Sequence, residues 1–198
     1  MLTSKELFMS FSECLSFEKK LAYFSAPSLL GIKCANLISI SKTEFNLPEH
    51  INRFNAKAES KGLKLKKLCS CNKRVLILIY NEKMLKNQIM KENQRNILKR
   101  YGYNDIADLD AVLEILADRI MSEPQFPHEI GVFLGYPAED VIGFIKNKGE
   151  NYKLSGYWKV YSDTECAKRT FENYEKCRKF LCNKLNQGYD IYQALKIS

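Results

Sequence analysis

Histidines, adjacent carboxylates and isolated lysines are the residue types that most often carry chemistry, and this chain has few places where they could act together. Its only histidines are His50 and His128, which removes most metal-binding and triad constellations at once. His50 falls in the first turn of an expected helix among polar neighbours and reads as a surface residue. His128 stands in Glu123-Pro124-Gln125-Phe126-Pro127-His128-Glu129-Ile130-Gly131, a proline-stiffened approach to an apolar run. A histidine fixed there can serve as general acid or base near neutral pH, with Glu129 as orienting group or partner acid. His128 and Glu129 are therefore the candidate catalytic residues. Two arguments stand against the pair. Neighbours on a strand point to opposite faces, and His128 could simply pack under Pro127 and bond the backbone to fix the turn. His-Glu without a second histidine four residues on is no zinc-protease motif, so no metal site is expected.

Ile130-Gly131-Val132-Phe133-Leu134-Gly135-Tyr136-Pro137 places glycines ahead of a helix start, where free amides could hold an anion against residues 136 to 140. Glu139 and Asp140 already supply negative charge there, which favours plain helix capping. The run also lacks the dinucleotide fingerprint and the Gly-Lys-Ser/Thr ending of a phosphate-binding loop. Lys33, after Gly31, is an electrophile, an anion clamp or an ordinary surface lysine. Tyr152, Tyr157, Trp158 and Tyr161 interleave with Lys153 and Lys159 and could stack on a flat ligand or on bases. Strand alternation would put Tyr157, Lys159 and Tyr161 on one face and send Trp158 and Val160 to the core. The expected ligand-binding set is Gly31, Lys33, Tyr136, Tyr157 and Trp158, gathered with the Pro127-His128-Glu129 turn around one hollow. The ligand would be a small molecule, and no cofactor is specified.

The chain has 198 residues, of which 45% are hydrophobic and 27% charged, the composition of a globular protein rather than a disordered one. No basic run leads into an apolar stretch at the N-terminus, and the longest uninterrupted apolar run is 75–80, far short of a membrane span. A cytoplasmic protein with no membrane partner is the expectation. Seven cysteines (Cys14, Cys34, Cys69, Cys71, Cys166, Cys177, Cys182) lack paired zinc-ligand spacing. Cys69-Ser70-Cys71, at an expected turn, is a redox pair, half of a metal site, or two small apolar fillers. The net charge of +8 is unevenly spread: residues 61–104 carry +10 and 105–145 carry −8. The basic block could contact nucleic acid or a protein partner. Alternatively, the acidic segment that follows it faces it and cancels its field.

The elements that must position these residues read as an α+β fold in a single domain, 1–198. A small mixed sheet, built from a hairpin over 63–80 and a βαβ unit over 130–161, is expected to pack against about six helices. Thr3-Ser4-Lys5-Glu6 is a capping box opening a first helix that Ala26-Pro27 interrupts. Pro48 starts a helix ending at Gly62. Leu63 to Leu68 alternates Leu with Lys and has one wet face, whereas Val75 to Tyr80 is apolar throughout and buried on both. One helix over 82–101 and another over 105–122 would pair antiparallel. Pro137 starts a helix that stops at Gly149, and Ser162-Asp163-Thr164-Glu165 is a capping box for a long final helix to Gly188.

Ala26-Pro27-Ser28-Leu29-Leu30-Gly31-Ile32-Lys33, Phe126-Pro127-His128-Glu129-Ile130-Gly131, Phe133-Leu134-Gly135-Tyr136-Pro137 and Gly156-Tyr157-Trp158-Lys159-Val160-Tyr161, in that order, resemble the bacterial family called domain of unknown function 3793, whose signature is the Pro-His-Glu triplet. The resemblance spans nearly the whole chain and implies a cytoplasmic single domain. It implies no activity, cofactor or catalytic residue. The family's first motif has a cysteine before Ala-Pro where this chain has Ser25, which argues against a redox role for that position.

Overall fold

The computed structural model describes residues 11–71 and 73–197; the Thr3 to Glu6 capping box lies outside them. At its centre is a three-stranded antiparallel sheet in the order β1-β3-β2 (β1 Ala35–Ser41, β2 Leu63–Cys71, β3 Arg74–Asn81). The middle strand explains the apolar run at 75–80. Val75, Ile77 and Ile79 enter one core, Leu78 and Tyr80 the other, and all five are buried, as period-two alternation between two covered faces requires. In β2 Leu63 and Leu65 enter one core and Leu68, on the alternate face, enters the other; a bulge between Lys67 and Cys69 then shifts the register against β3.

One face is covered by α1 (Phe11–Leu29), α2 (Leu47–Ala58), the C-terminal half of α8 (Thr164–Asn186) and α9 (Ile191–Ala194). The other carries α3 (Glu82–Met90), α4 (Glu92–Arg100), α5 (Leu109–Ser122), α6 (Ile130–Phe133) and α7 (Ala138–Lys146). A second, two-stranded sheet pairs β4 (Leu154–Ser155) with β5 (Lys159–Val160) antiparallel.

The α+β class and the 63–80 hairpin match the expectation; the βαβ unit does not. Residues 130–133 form a single helical turn, in which Pro127, His128 and Glu129 carbonyls accept from the amides of Ile130, Gly131 and Val132. A short apolar run buried on all sides looks the same whether it is strand or helix, and both sheets are purely antiparallel.

Four helix boundaries also differ from the expected ones. Pro27 lies inside α1, but in its last turn, where a missing amide shortens rather than divides the helix. The amides of Ile32 and Lys33 then both donate to the Pro27 carbonyl as Gly31 adopts φ +70°. The expected helix over 82–101 is broken at Lys91, whose ψ of 138° ends α3 and begins α4, so that Leu85, Ile89, Ile97 and Leu98 all reach the same core. α5 starts only at Leu109, because the Asp108 carboxylate caps it by accepting from the amides of Asp110 and Ala111. It packs against β2 rather than as a hairpin with the preceding helix. In the final helix, Asp163 and not Ser162 is the cap.

The face of β2 expected to be wet is the one α5 covers. Lys66 meets Glu114 at 2.7 Å and Asp110 at 3.9 Å, and Lys64 pairs with Glu82 at 2.7 Å. Basic block and acidic segment thus meet across this contact. His50, expected at the surface, is buried, its ring stacked on Phe17 at 4.2 Å and edge-on to Phe45.

Candidate functional site

Several residues between 126 and 159 line one pocket of about 360 Å³ beside α6 and α7. Its geometry starts at Gly135. With φ +75°, and the Cys34 sulfur 2.8 Å from where a Cβ would stand, only glycine fits. The chain reverses there, and the Tyr136 amide donates back to the Gly131 carbonyl at 2.9 Å. This turn delivers the Tyr136 ring to the pocket floor, where it stacks on Trp158 with centroids 5.0 Å apart and planes 25° from parallel. The Tyr136 hydroxyl donates to the Tyr157 carbonyl at 3.2 Å, tying the floor to the β4–β5 hairpin. Burial, reinforced by the neighbouring Cys34, pushes the Tyr136 phenol up to about 12, so it remains a neutral donor at ordinary pH.

Trp158 is held from three sides. Its indole N–H donates to Asp140 Oδ2 at 2.7 Å, one ring face meets Tyr136, and Phe171 of α8 packs edge-on at 4.6 Å. Asp140, in the first turn of α7, is buried and accepts on Oδ1 from the amides of both Tyr161 and Ser162 at 2.8 Å. Three N–H donors on one carboxylate satisfy a charge that would otherwise be costly to bury. Gly156 permits the hairpin to approach, since a Cβ there would lie 2.2 Å from the Phe171 ring.

His128 is exposed and lines the same pocket, its ring edge-on to Phe144 at 5.0 Å. Phe126, Val141, Ser155 and Lys159 complete the walls. Of the sequence candidates, His128, Tyr136 and Trp158 therefore meet. The others stand elsewhere. Glu129 points inward, 1% exposed, accepting from Arg119 Nε at 2.6 Å and the Tyr103 hydroxyl at 3.3 Å. Gly31 sits in the exposed turn after α1. Tyr157 packs on Phe171 and Tyr174 and donates its hydroxyl to Glu175. Lys33 is buried behind the floor, its ammonium 5.2 Å from the Tyr136 ring and 5.6 Å from that of Tyr174. Burial lowers its pKa to about 8, an effect the adjacent Cys34 opposes.

Trp158 was expected to face the core and Lys159 to share the opposite face with Tyr157. In the structure both Trp158 and Lys159 line the pocket, because the pairing is only two residues long and strict alternation does not persist outside it. Asp140 and Phe144 were not singled out for the pocket. An acid in a first helical turn already has a local explanation, and the sequence carries no sign that residues 158–162 would fold onto it. Cys69 is buried at the far end of β2, with Cys71 closing that strand. Among the described residues no group of three or more His, Cys, Asp or Glu side chains could hold a metal ion, and no helix is long and apolar enough to cross a membrane.

The family model described as protein of unknown function (DUF3793) matches residues 21–195. The chain belongs to this family. In this DUF3793 protein the matched region includes every residue of the pocket and, apart from Phe17, all the buried residues of both cores. No curated protein and no solved structure shows a significant match.

Proposed function

We propose that this DUF3793 protein binds a small, flat, largely apolar molecule in the pocket between α7 and the β4–β5 hairpin. The carrying observation is the convergence of His128, Tyr136 and Trp158, from segments separated in sequence, on one concave surface whose floor is already stacked and hydrogen-bonded. Aromatic walls with a few fixed polar groups are the usual make-up of small-ligand sites, and a floor held before binding lowers the ordering cost of association. The volume of about 360 Å³ suits a ligand of one or two fused rings. His128 at the mouth offers a ring nitrogen as donor or acceptor.

Trp158 is the only tryptophan of the chain, so its emission reports on the pocket alone. Titration with non-fluorescent one- and two-ring compounds should quench or shift that emission saturably, and Trp158→Phe should remove the signal while the competence to bind, read by calorimetry, falls several-fold. A panel that leaves both emission and heat unchanged to millimolar concentration would refute the reading.

A further inference from the structure

Resting on that reading, the polar groups of the pocket specify the ligand further: we infer that it carries a negatively charged substituent, and that the chemical class bound is an aromatic carboxylate. Besides Tyr136 and Trp158 of the floor, four polar side chains line the pocket, namely His128, Asp140, Ser155 and Lys159. Asp140 is the only acid among them, and both its oxygens are occupied by N–H donors from Trp158, Tyr161 and Ser162. Its acceptor positions are thus turned to these donors rather than to a ligand.

Lys159 is in the opposite position. Its ammonium donates to the Gly149 carbonyl at 2.6 Å and lies 4.9 Å from the Tyr152 ring and 5.8 Å from the Phe144 ring. All three partners are neutral. An ammonium has three protons to donate, so two remain, on a half-buried cation whose contacts among the described residues supply no countercharge. Gly149 holds this arrangement through φ +78°, where a Cβ would come within 3.1 Å of Phe144 and 3.5 Å of the Lys159 nitrogen.

His128 flanks the same Phe144 ring at 5.0 Å. Two groups able to donate hydrogen bonds thus neighbour the Phe144 ring in the pocket that Tyr136 and Trp158 also line. A ring seated against Tyr136 and Trp158 would present a carboxylate to that rim, where a charge-assisted bond in a partly dry site is stronger than a neutral one. A cationic ligand would meet Lys159 directly and be repelled.

The test is calorimetric titration with three probes sharing one ring system: 2-naphthoate, 2-naphthalenemethanol and 2-naphthalenemethylammonium. The expected order is carboxylate tightest, about 10-fold over the alcohol, with the ammonium weakest. Lys159→Gln should abolish the advantage of the carboxylate over the alcohol. The unmodified chain gives an independent reading, because added salt should narrow the gap between carboxylate and alcohol. Equal binding of all three, or a gap that survives both Lys159→Gln and high salt, would overturn the anion assignment while leaving the pocket in place. Failure of all three to bind would remove the pocket reading and this one with it.

Discussion

The Trp158 indole nitrogen lies 2.7 Å from the buried Oδ2 of Asp140, so a single carboxylate at the start of α7 fixes the aromatic floor of the pocket and the strand end that carries it. The same group takes the amides of Tyr161 and Ser162. Loss of its charge or one of its acceptor positions should therefore be felt in stability and in the pocket at once.

Asp140→Asn tests this. An amide presents one oxygen and one NH₂, so either the indole N–H or the two backbone amides must face a donor. The expected cost is about 2–4 kcal/mol in denaturant unfolding, the range for a lost charged bond together with a stranded buried donor. Trp158 emission of the folded protein should shift red as the indole loosens. A change below about 0.5 kcal/mol with unaltered emission would show that the clamp does not hold the floor.

Lys33 makes a prediction with a definite sign. Its pKa is about 8 when folded, against 10.5 as the ordinary value, so between those pH values the unfolded chain holds a proton that the folded one has released. Stability from this group therefore rises with pH across about 8 to 10.5, and the full burial cost, on the order of 3 kcal/mol, applies below pH 8. Lys33→Met should be more stable than the parent at pH 7, and that advantage should shrink toward pH 10. Paired urea titrations at the two pH values measure it; a gap independent of pH would contradict the assigned burial.

Gly156 and Phe171 should behave as one unit. Alanine at 156 drives a methyl into the ring of Phe171, an overpacking expected to cost roughly 1–3 kcal/mol. Phe171→Leu makes room, so Gly156→Ala should cost less in that background than alone. Strict additivity in the double-mutant cycle would mean the hairpin does not lean on α8 there.

Arg119 and Glu129 supply a control whose side chains do not line the pocket. Arg119→Met leaves the inward carboxylate with only the Tyr103 hydroxyl as hydrogen-bond donor among the described residues, and breaking such a buried pair from one side costs roughly 3–5 kcal/mol. Adding Glu129→Gln should recover much of this in thermal unfolding. Ligand binding by either variant, measured below its melting temperature, should match the parent, since neither side chain lines the pocket.

The hairpin over 63–80 was legible because alternation and a continuous β-branched run are signals that residues carry themselves. The turn at 130–133 was not, because burial on every side erases the periodicity that separates strand from helix, and the break at Lys91 has no glycine or proline to announce it. His128, Tyr136 and Trp158 could be picked out as unlike their surroundings, and the structure brings them together. Glu129 could not be assigned a direction while 130–134 was read as strand. Asp140 read only as an acid at a helix start, a local explanation that sufficed, whereas its partners lie some twenty residues downstream. Lys33 read as a ligand clamp or a surface lysine and not as a buried cation, because burial by Tyr136 and Tyr174 is a property of the folded chain alone.

The central claim is that the surface joining His128 to Trp158 is a ligand site, and the most direct measurement is nuclear magnetic resonance during titration with 2-naphthalenemethanol, a neutral probe indifferent to the charge question. The chain has one indole N–H and two histidine rings, so the signals are few and assignable through Trp158→Phe and His128→Gln. Saturable shifts of the Trp158 indole and the His128 ring, with the buried His50 ring unmoved, are the predicted result. Indole and His128 signals that stay fixed to millimolar probe, or that move only together with His50, would contradict it.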